Sequence, residues 1–246
     1  MTTLALDLGN TALKYGVFTA FGLQASGVLA TPGELAALWQ QYQPEHAILA
    51  SVASEAEAQP WLHELRDHLG KILPLRPGFT PVPLGNAYAT PQTLGADRLA
   101  GAVGAGHLRP GQPTLVLDAG TALKLDLVAD NTYHGGSIAP GLRMRLRALH
   151  TFTGRLPLLE LPETDGPVQL IGDSTASSLL SGVLNGAAVE VNGLVAEYRR
   201  RYPSLGVVLT GGDAAFLAAR LVARIFVVPE LVLLGLNRIL TYNVEE

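Results

Sequence analysis

The chain opens with Thr3-Leu4-Ala5-Leu6-Asp7-Leu8-Gly9-Asn10-Thr11-Ala12-Leu13-Lys14, and a close copy of this stretch returns as Thr114-Leu115-Val116-Leu117-Asp118-Ala119-Gly120-Thr121-Ala122-Leu123-Lys124. The two copies match when one residue is dropped from the second turn. Each copy is a short apolar strand that ends on an aspartate, turns at a glycine and resumes with a threonine and a lysine. An internal repeat at nearly half the chain length predicts two similar lobes.

The residue types of the repeated turn are typical of phosphate binding. Glycine lets the backbone approach an oxyanion and point N–H groups at it, and threonine adds a hydroxyl donor. The aspartate repels phosphate and is better suited to hold a cation or an ordered water beside it. One copy alone would be explained equally well as an ordinary tight turn, for which Asp, Gly and Asn are the usual residues. The repetition favours phosphate binding, with both turns on one polyphosphate.

Composition limits the classes of function. The chain has 246 residues, of which 48% are apolar and 15% charged, so it has enough material for a buried core. Its net charge of −4 gives no basic field for nucleic acid, and the lack of cysteine excludes disulfides and thiolate metal sites. We see no signal peptide at the N-terminus and no apolar run near the ~20 residues of a membrane span, so we expect a cytoplasmic protein that binds neither nucleic acid nor membrane.

Strands and helices alternate in both halves, which predicts an α/β class. The predicted strands cover residues 3–7, 14–18, 46–52, 72–75, 114–118, 123–129, 132–138, 206–210 and 225–228, and the predicted helices cover 34–42, 61–69, 94–108, 140–151, 175–201 and a closing stretch from 229. Residues 76–91 hold four prolines and two glycines, which predicts a loop. The glycines of 101–106 follow no strand, so we interpret them as helix packing and not as a dinucleotide fingerprint.

The commonest nucleotide loop, Gly-x-x-x-x-Gly-Lys-Ser/Thr, is absent from the sequence. The two Asp-x-Gly-Thr hairpins, with a late Thr210-Gly211-Gly212-Asp213 turn after a strand, resemble the actin, Hsp70 and sugar-kinase superfamily. The resemblance implies duplicated ribonuclease-H-like lobes with a nucleotide cleft between them. We place the lobes at residues 1–110 and 111–246.

Four further segments narrow the resemblance. They are Gly95-Ala96-Asp97-Arg98, Gly135-Gly136-Ser137-Ile138-Ala139-Pro140-Gly141, Asp173-Ser174-Thr175 and Leu233-Leu234-Gly235-Leu236. Together with the two hairpins, they stand in the order seen in type III pantothenate kinases, and the match extends over essentially the whole chain. The resemblance implies phosphorylation of pantothenate by ATP to 4'-phosphopantothenate, the first step of coenzyme A biosynthesis.

The same resemblance implies residue roles at the nucleotide. The residues expected around ATP are Asp7, Leu8, Gly9, Asn10, Thr11, Ala12, Leu13, Lys14 and Thr121. Asp7 would position the Mg²⁺ that accompanies ATP, and Asp118 would bind a monovalent cation, K⁺ or NH₄⁺, next to the phosphates. The Thr210–Asp213 turn would lie near the adenosine.

For the acceptor, the resemblance makes Asp97 the general base for the pantothenate hydroxyl. Tyr88, Gly95, Ala96 and Arg98 would line the pantothenate pocket, and Thr175 would reach it from the other subunit of a homodimer with shared sites. Simpler explanations exist for single residues. Asp97 is also a carboxylate favoured by a helix N-terminus, Tyr88 a loop tyrosine packed on its lobe, and Thr175 a helix N-terminal hydroxyl.

The sequence departs from the family pattern at two positions. Lys124 stands where the family usually has threonine, and Thr90 where it usually has asparagine. Lys124 either adds a cation near the phosphates, covering part of the monovalent-cation role, or points to solvent. Arg143, Arg145 and Arg147 indicate a solvated or interface face.

Two other functions compete with the pantothenate kinase prediction. One is a kinase of the same superfamily with another hydroxyl acceptor, and the other is a non-catalytic regulatory relative acting as a transcription accessory factor. A regulatory relative would be expected to lose Asp7, Asp97 or Asp118, and the sequence keeps all three.

Overall fold

The computed structural model describes residues 1–9, 12–53, 55–68, 72–162, 166–222 and 224–245. Within these residues, the helices and strands in chain order are β1 (Thr3–Leu8), β2 (Leu13–Thr19), β3 (Gly22–Leu29), α1 (Leu35–Tyr42), β4 (His46–Ser51), α2 (Glu55–His68), β5 (Ile72–Pro74), β6 (Gly85–Asn86), α3 (Ala96–Leu108), β7 (Thr114–Ala119), β8 (Ala122–Ala129), β9 (Thr132–Pro140), α4 (Leu142–Thr151), α5 (Thr175–Leu180), α6 (Gly186–Arg201), β10 (Gly206–Thr210), α7 (Ala214–Ala218), β11 (Ile225–Val227) and α8 (Leu231–Val244). The predicted α/β class is confirmed.

The chain forms two compact units. The first contains Met1–Gly111, Asn131–His134 and Glu230–Glu246, and the second contains Gln112–Asp130 and Gly135–Pro229. Helix α8 therefore belongs to the first unit, although it lies in the range 111–246 that the sequence assigns to the second lobe.

The first unit contains a five-stranded sheet in the order β3-β2-β1-β4-β5. β1 is antiparallel to β2 and parallel to β4, so it lies in the middle of the sheet. Its apolar residues Leu4 and Leu6 are fully buried and pack with Trp61 and Leu65 of α2. This core fixes the end of β1, where Asp7 lies. Strand β3 is an addition to the predicted strands.

Helices α3 and α8 of the first unit pack closely through small residues. A Cβ at Gly235 would overlap the backbone carbonyl of Ala100 and would lie 2.9 Å from the backbone nitrogen of Gly104. Only glycine allows this approach, which confirms that the glycine-rich stretch of α3 serves helix packing. The contact anchors α3, whose first turn carries Asp97.

In the second unit the strand order is β11-β10-β7-β8-β9. β10 and β11 run parallel to β7, whereas β8 is antiparallel to it. The apolar side chains of β7 and β8 pack against Val191 and Val195 of α6 and Leu217 of α7. The buried strand β7 thereby fixes the position of Asp118 near its end.

The predicted helix 175–201 is interrupted. A π-helical turn, Ser181–Asn185, lies between α5 and α6. By length and composition alone, Thr175–Arg201 is apolar enough to cross a membrane, a test that core helices of soluble proteins also pass. Val183, Leu184 and Val191 of this stretch are buried in the core of the second unit.

Candidate active site

In both copies of the repeated sequence, the glycine after the strand donates a backbone hydrogen bond to the alanine at the other side of the turn. In the first hairpin the backbone N–H of Gly9 donates to the carbonyl of Ala12 at 3.1 Å, and in the second the N–H of Gly120 donates to the carbonyl of Ala122 at 3.1 Å. The first turn is longer by the one residue that separates the two sequences. Asn10 and Thr11, both predicted to contact ATP, lie outside the described residues.

Backbone and side chains contribute differently to the first turn. The side chains of Leu8 and Leu13 are buried in the core, with exposures of 5% and 0%, so they offer a ligand only their backbone. Asp7 is half-buried at the end of β1, Ala12 is also half-buried, and Lys14 is exposed. Asp7 and Lys14 face each other in the antiparallel register of β1 and β2.

The second turn carries an ion pair. Asp118 and Lys124 occupy the register positions that Asp7 and Lys14 occupy in the first hairpin. The Nζ of Lys124 lies 2.7 Å from Oδ2 of Asp118, and the two side chains are only 14% and 19% exposed, respectively. Thr121, predicted to contact ATP, is exposed beside this pair.

Two glycine turns of the second unit pack on the Asp118 turn. The N–H of Gly141 donates to the carbonyl of Thr121 at 3.1 Å. Gly211 has a φ of +97°, and a Cβ at this position would lie 2.6 Å from Oδ1 of Asp118. Because a side chain fits neither the conformation nor the space, glycine is required at position 211. The Asp118 carboxylate therefore has Lys124 on one oxygen and the Gly211 backbone against the other.

The turn predicted near the adenosine is tied to its own unit. The N–H of Asp213 donates to the carbonyl of Ala119 at 2.8 Å, and the hydroxyl of Thr210 donates to the carbonyl of Pro229 at 3.0 Å. The buried Asp213 carboxylate forms a 2.5 Å ion pair with Arg143. Arg145, the next arginine of α4, pairs with Glu190 at 2.8 Å. Two arginines of the predicted solvated or interface face thus form ion pairs within the unit.

Asp97 lies in the first turn of α3. Gly95 is the N-cap, and the Oδ1 of Asp97 accepts a hydrogen bond from the backbone N–H of Arg98 at 2.9 Å. The carboxylate folds back over Gly95 so closely that a Cβ there would lie 2.6 Å from Oδ1. A carboxylate held in this position is a group of the kind that acts as a general base.

The Arg98 side chain is 7% exposed, and its guanidinium carbon lies 5.7 Å from the centre of the Tyr88 ring. Tyr88 in turn packs on the fully buried Tyr133, with ring centres 5.8 Å apart. The structure therefore places Tyr88 beside Arg98, at the start of the helix that carries Gly95, Ala96 and Asp97. A buried guanidinium next to an aromatic face is suited to bind a carboxylate or another anion.

Thr175 is the first residue of α5 and is exposed. Ser174 and Ser177 cap this helix: the Ser174 hydroxyl accepts from the N–H of Ser177 at 3.2 Å, and the Ser177 hydroxyl accepts from the N–H of Ser174 at 2.9 Å. Thr175 is thus a hydroxyl at the helix N-terminus, but the residues that cap the helix are Ser174 and Ser177.

Comparison with known proteins identifies the family. Residues 3–197 match the family model of the type III pantothenate kinases. The type III pantothenate kinase of Phocaeicola vulgatus is 40% identical over 243 residues, a match that covers 98% of each chain. The chain belongs to the type III pantothenate kinase family.

Solved structures of other proteins resemble the fold of this type III pantothenate kinase chain. A Campylobacter jejuni protein named in its crystal structure as a Baf family transcriptional activator is similar with a TM-score of 0.64 at 18% identity, covering 99% of this chain and all of the other. A glucokinase from an Antarctic psychrotroph has a TM-score of 0.51 at 11% identity, covering 98% and 99%. These likenesses support the predicted duplicated actin-like fold.

Two residues near the candidate acceptor pocket of this type III pantothenate kinase chain are not predicted by the sequence. Tyr133 supports the Tyr88 ring, and the side-chain oxygen of Asn86 accepts from the N–H of Tyr88 at 3.0 Å. The two-residue strand β6 pairs with Thr132 and Tyr133 of β9 and holds this segment in place. A signal for such a short strand in a proline-rich loop is absent from the sequence.

Proposed function

We propose that the protein transfers the γ-phosphoryl group of ATP to the primary hydroxyl of pantothenate. The observation that carries the proposal is the group of acceptor-side residues in the first unit, with Asp97 at the start of α3 beside the buried Arg98 and Tyr88. In the reaction the hydroxyl oxygen forms a bond to the γ-phosphorus, the bond from that phosphorus to the β,γ-bridging oxygen breaks, and ADP leaves. The hydroxyl proton passes to the Asp97 carboxylate.

Asp97 is the proposed general base. Its Oδ1 is fixed by the backbone N–H of Arg98 at 2.9 Å, and the carboxylate is half-buried, so a substrate can reach it. A positioned base contributes about 10²–10⁴ in rate. Phosphoryl transfer depends still more on positioning and charge stabilisation, which the remaining residues supply.

Arg98 and Tyr88 are proposed to bind pantothenate. A guanidinium that is almost fully buried and lies over an aromatic ring offers N–H donors in fixed directions, which suits a carboxylate. Pantothenate carries one carboxylate, distant from the hydroxyl that is phosphorylated. Gly95 and Ala96 would line the same pocket through their backbone.

The glycine turns at Gly9 and Gly120 are proposed to bind the ATP phosphates, with Lys14 and Thr121 as exposed donors. Asp7 would hold Mg²⁺, which would neutralise charge on the phosphates. A single carboxylate fits this role, because Mg²⁺ is usually bound by one or two carboxylates together with substrate phosphates.

A homodimer with shared sites is also part of the proposal. Leu170 and Ile171 lie just before α5 and are 80% and 85% exposed, although they are large apolar side chains. The carbonyl of Leu170 accepts from the buried hydroxyl of Ser181 at 2.7 Å, which holds this segment on the helix. Exposed apolar side chains of this kind mark interaction surfaces, and Thr175 lies next to them.

The experiment is to measure 4'-phosphopantothenate formation from ATP, pantothenate and Mg²⁺ for the wild type, Asp97→Asn and a control, Glu197→Gln. Glu197 is an exposed residue of α6 that pairs with Arg200. Glu197→Gln therefore removes one negative charge, as Asp97→Asn does, but at a position distant in sequence from the proposed base. We expect product from the wild type and the control, and loss of about 10²–10⁴ in kcat for folded Asp97→Asn. A folded wild type that phosphorylates another acceptor, or none, would overturn the proposal.

A further inference from the structure

The ion pair between Asp118 and Lys124 lies at the position where the family resemblance implies a bound monovalent cation. The Nζ of Lys124 is 2.7 Å from Oδ2 of Asp118, a distance typical of a charge-assisted hydrogen bond with no atom between the two groups. With exposures of 14% and 19%, both side chains are largely shielded from water. The alternative that Lys124 points to solvent is therefore wrong.

The Asp118 carboxylate does not fit a second monovalent cation. Lys124 lies on Oδ2, the oxygen that it shields from solution, and Gly211 lies near Oδ1, since a Cβ on Gly211 would be 2.6 Å from that oxygen. An added K⁺ at this carboxylate would also stand next to the positively charged ammonium, in a partly buried place where like charges are poorly screened. The ammonium and the added ion thus compete for one carboxylate.

The first hairpin shows that the fold alone does not bury a lysine at this register position. Lys14 faces Asp7 on β1 and β2 as Lys124 faces Asp118 on β7 and β8. Lys14 is exposed, whereas Lys124 is largely buried. The burial of Lys124 is therefore specific to the second turn, which also carries the exposed Thr121.

We propose that the Lys124 ammonium is the built-in monovalent cation of this protein, so that neither K⁺ nor NH₄⁺ is required at Asp118. The inference rests on the proposed kinase function. The ammonium neutralises Asp118 and leaves the turn favourable to phosphate without a dissociable ion. Chains with a short hydroxyl side chain in place of Lys124 would leave the Asp118 carboxylate open to a cation from solution.

The test compares kinase activity in buffers whose only monovalent cation is tetramethylammonium with activity after addition of K⁺ or NH₄⁺. The proteins are the wild type, Lys124→Thr, Lys124→Arg and a control, Arg200→Gln, which removes one exposed positive charge on α6. We expect the wild type, Lys124→Arg and Arg200→Gln to be unaffected by K⁺. Lys124→Thr should lose activity without K⁺ and regain about tenfold or more when K⁺ is added. Activation of the wild type by K⁺ to that extent would overturn the inference.

A second readout does not depend on catalysis. Thermal melting in tetramethylammonium and in K⁺ should give the same Tm for the wild type and a K⁺-specific increase for Lys124→Thr. A K⁺-specific increase in the wild type, or none in folded Lys124→Thr, contradicts the inference. If the wild type makes no 4'-phosphopantothenate with any cation, the proposed function fails, and the melting comparison still decides whether Lys124 replaces the ion.

Discussion

Substitution of Gly95 by alanine tests whether the position of the Asp97 carboxylate controls the reaction. The backbone of Gly95 has φ −61° and ψ 133°, which alanine adopts without strain. The new Cβ would lie 2.6 Å from Oδ1 of Asp97, about 0.8 Å closer than the 3.4 Å at which ordinary van der Waals contact begins. The carboxylate is the terminal group of the Asp97 side chain, so we expect it to shift while the helix stays in place.

The expected loss follows from that displacement. A reacting group misplaced by about 1 Å can cost 10²-fold in rate, so a shift of about 0.8 Å predicts a decrease in kcat of roughly 10- to 10²-fold. This corresponds to about 1.4–2.7 kcal/mol in the activation free energy. The KM for ATP should change little, because Gly95 belongs to the proposed acceptor pocket. The assay is steady-state formation of 4'-phosphopantothenate with each substrate varied in turn.

The matched control is Gly33→Ala, which adds a methyl group with no neighbouring atom within 4 Å. It should keep both kcat and Tm close to the wild-type values. The reasoning is refuted if folded Gly95→Ala keeps the wild-type kcat, because the carboxylate position would then be irrelevant. A large decrease in Tm for Gly95→Ala would instead show that the carboxylate cannot move aside and that the helix is distorted.

Two further predictions concern packing and assembly. Gly235→Ala should lower the free energy of unfolding by about 1–3 kcal/mol, because its Cβ would overlap the Ala100 carbonyl between α3 and α8. Denaturant unfolding should then show a lower midpoint at an unchanged m-value. An unchanged midpoint would contradict the close packing of the two helices. Ile171→Asp should raise the dissociation constant of the proposed homodimer on the order of 30-fold, as loss of a central apolar contact does. Sedimentation of both proteins over a concentration range measures the change, and a monomeric wild type would exclude the dimer.

The sequence predicts both hairpins because their signals are local. A short apolar run followed by an Asp-x-Gly turn specifies strand, turn and strand within a dozen residues. Strand β3 lacks such a signal: Gly22–Leu29 contains two glycines and one β-branched residue, Val28, and its side chains are mostly exposed or half-buried. It forms by pairing with β2, which a local pattern does not encode.

The unit to which α8 belongs is also a long-range property. The fit between Gly104 and Gly235 joins residues far apart in sequence, and a helix pattern alone does not reveal its packing partner. The predicted helix 175–201 also contains a π-helical turn at Ser181–Asn185, where Ser181 is buried and donates to the carbonyl of Leu170. Periodicity predicts the helix but not the interruption.

Among the candidate site residues, the sequence predicts those that lie in compact motifs. Gly95 and Asp97 are close in sequence, so a helix start places them together. Tyr133 is distant from Tyr88 in the chain and reaches it only through the pairing of β6 with β9. The sequence left two positions open for Lys124, and the choice depends on burial beside Asp118, which only the folded second unit determines.

The two copies of the hairpin therefore share the pairing of their aspartate and lysine positions but differ in electrostatics. Asp118 has its charge balanced by Lys124 at 2.7 Å, so the second turn adds no net negative charge where an anion is proposed to bind. In the first turn the lysine at the same register position is exposed, and on the proposed function its ammonium contacts a phosphate while Asp7 helps to hold a divalent ion. On the proposed function, the burial of Lys124 beside Asp118 is what lets the second turn bind phosphate without a monovalent cation from solution.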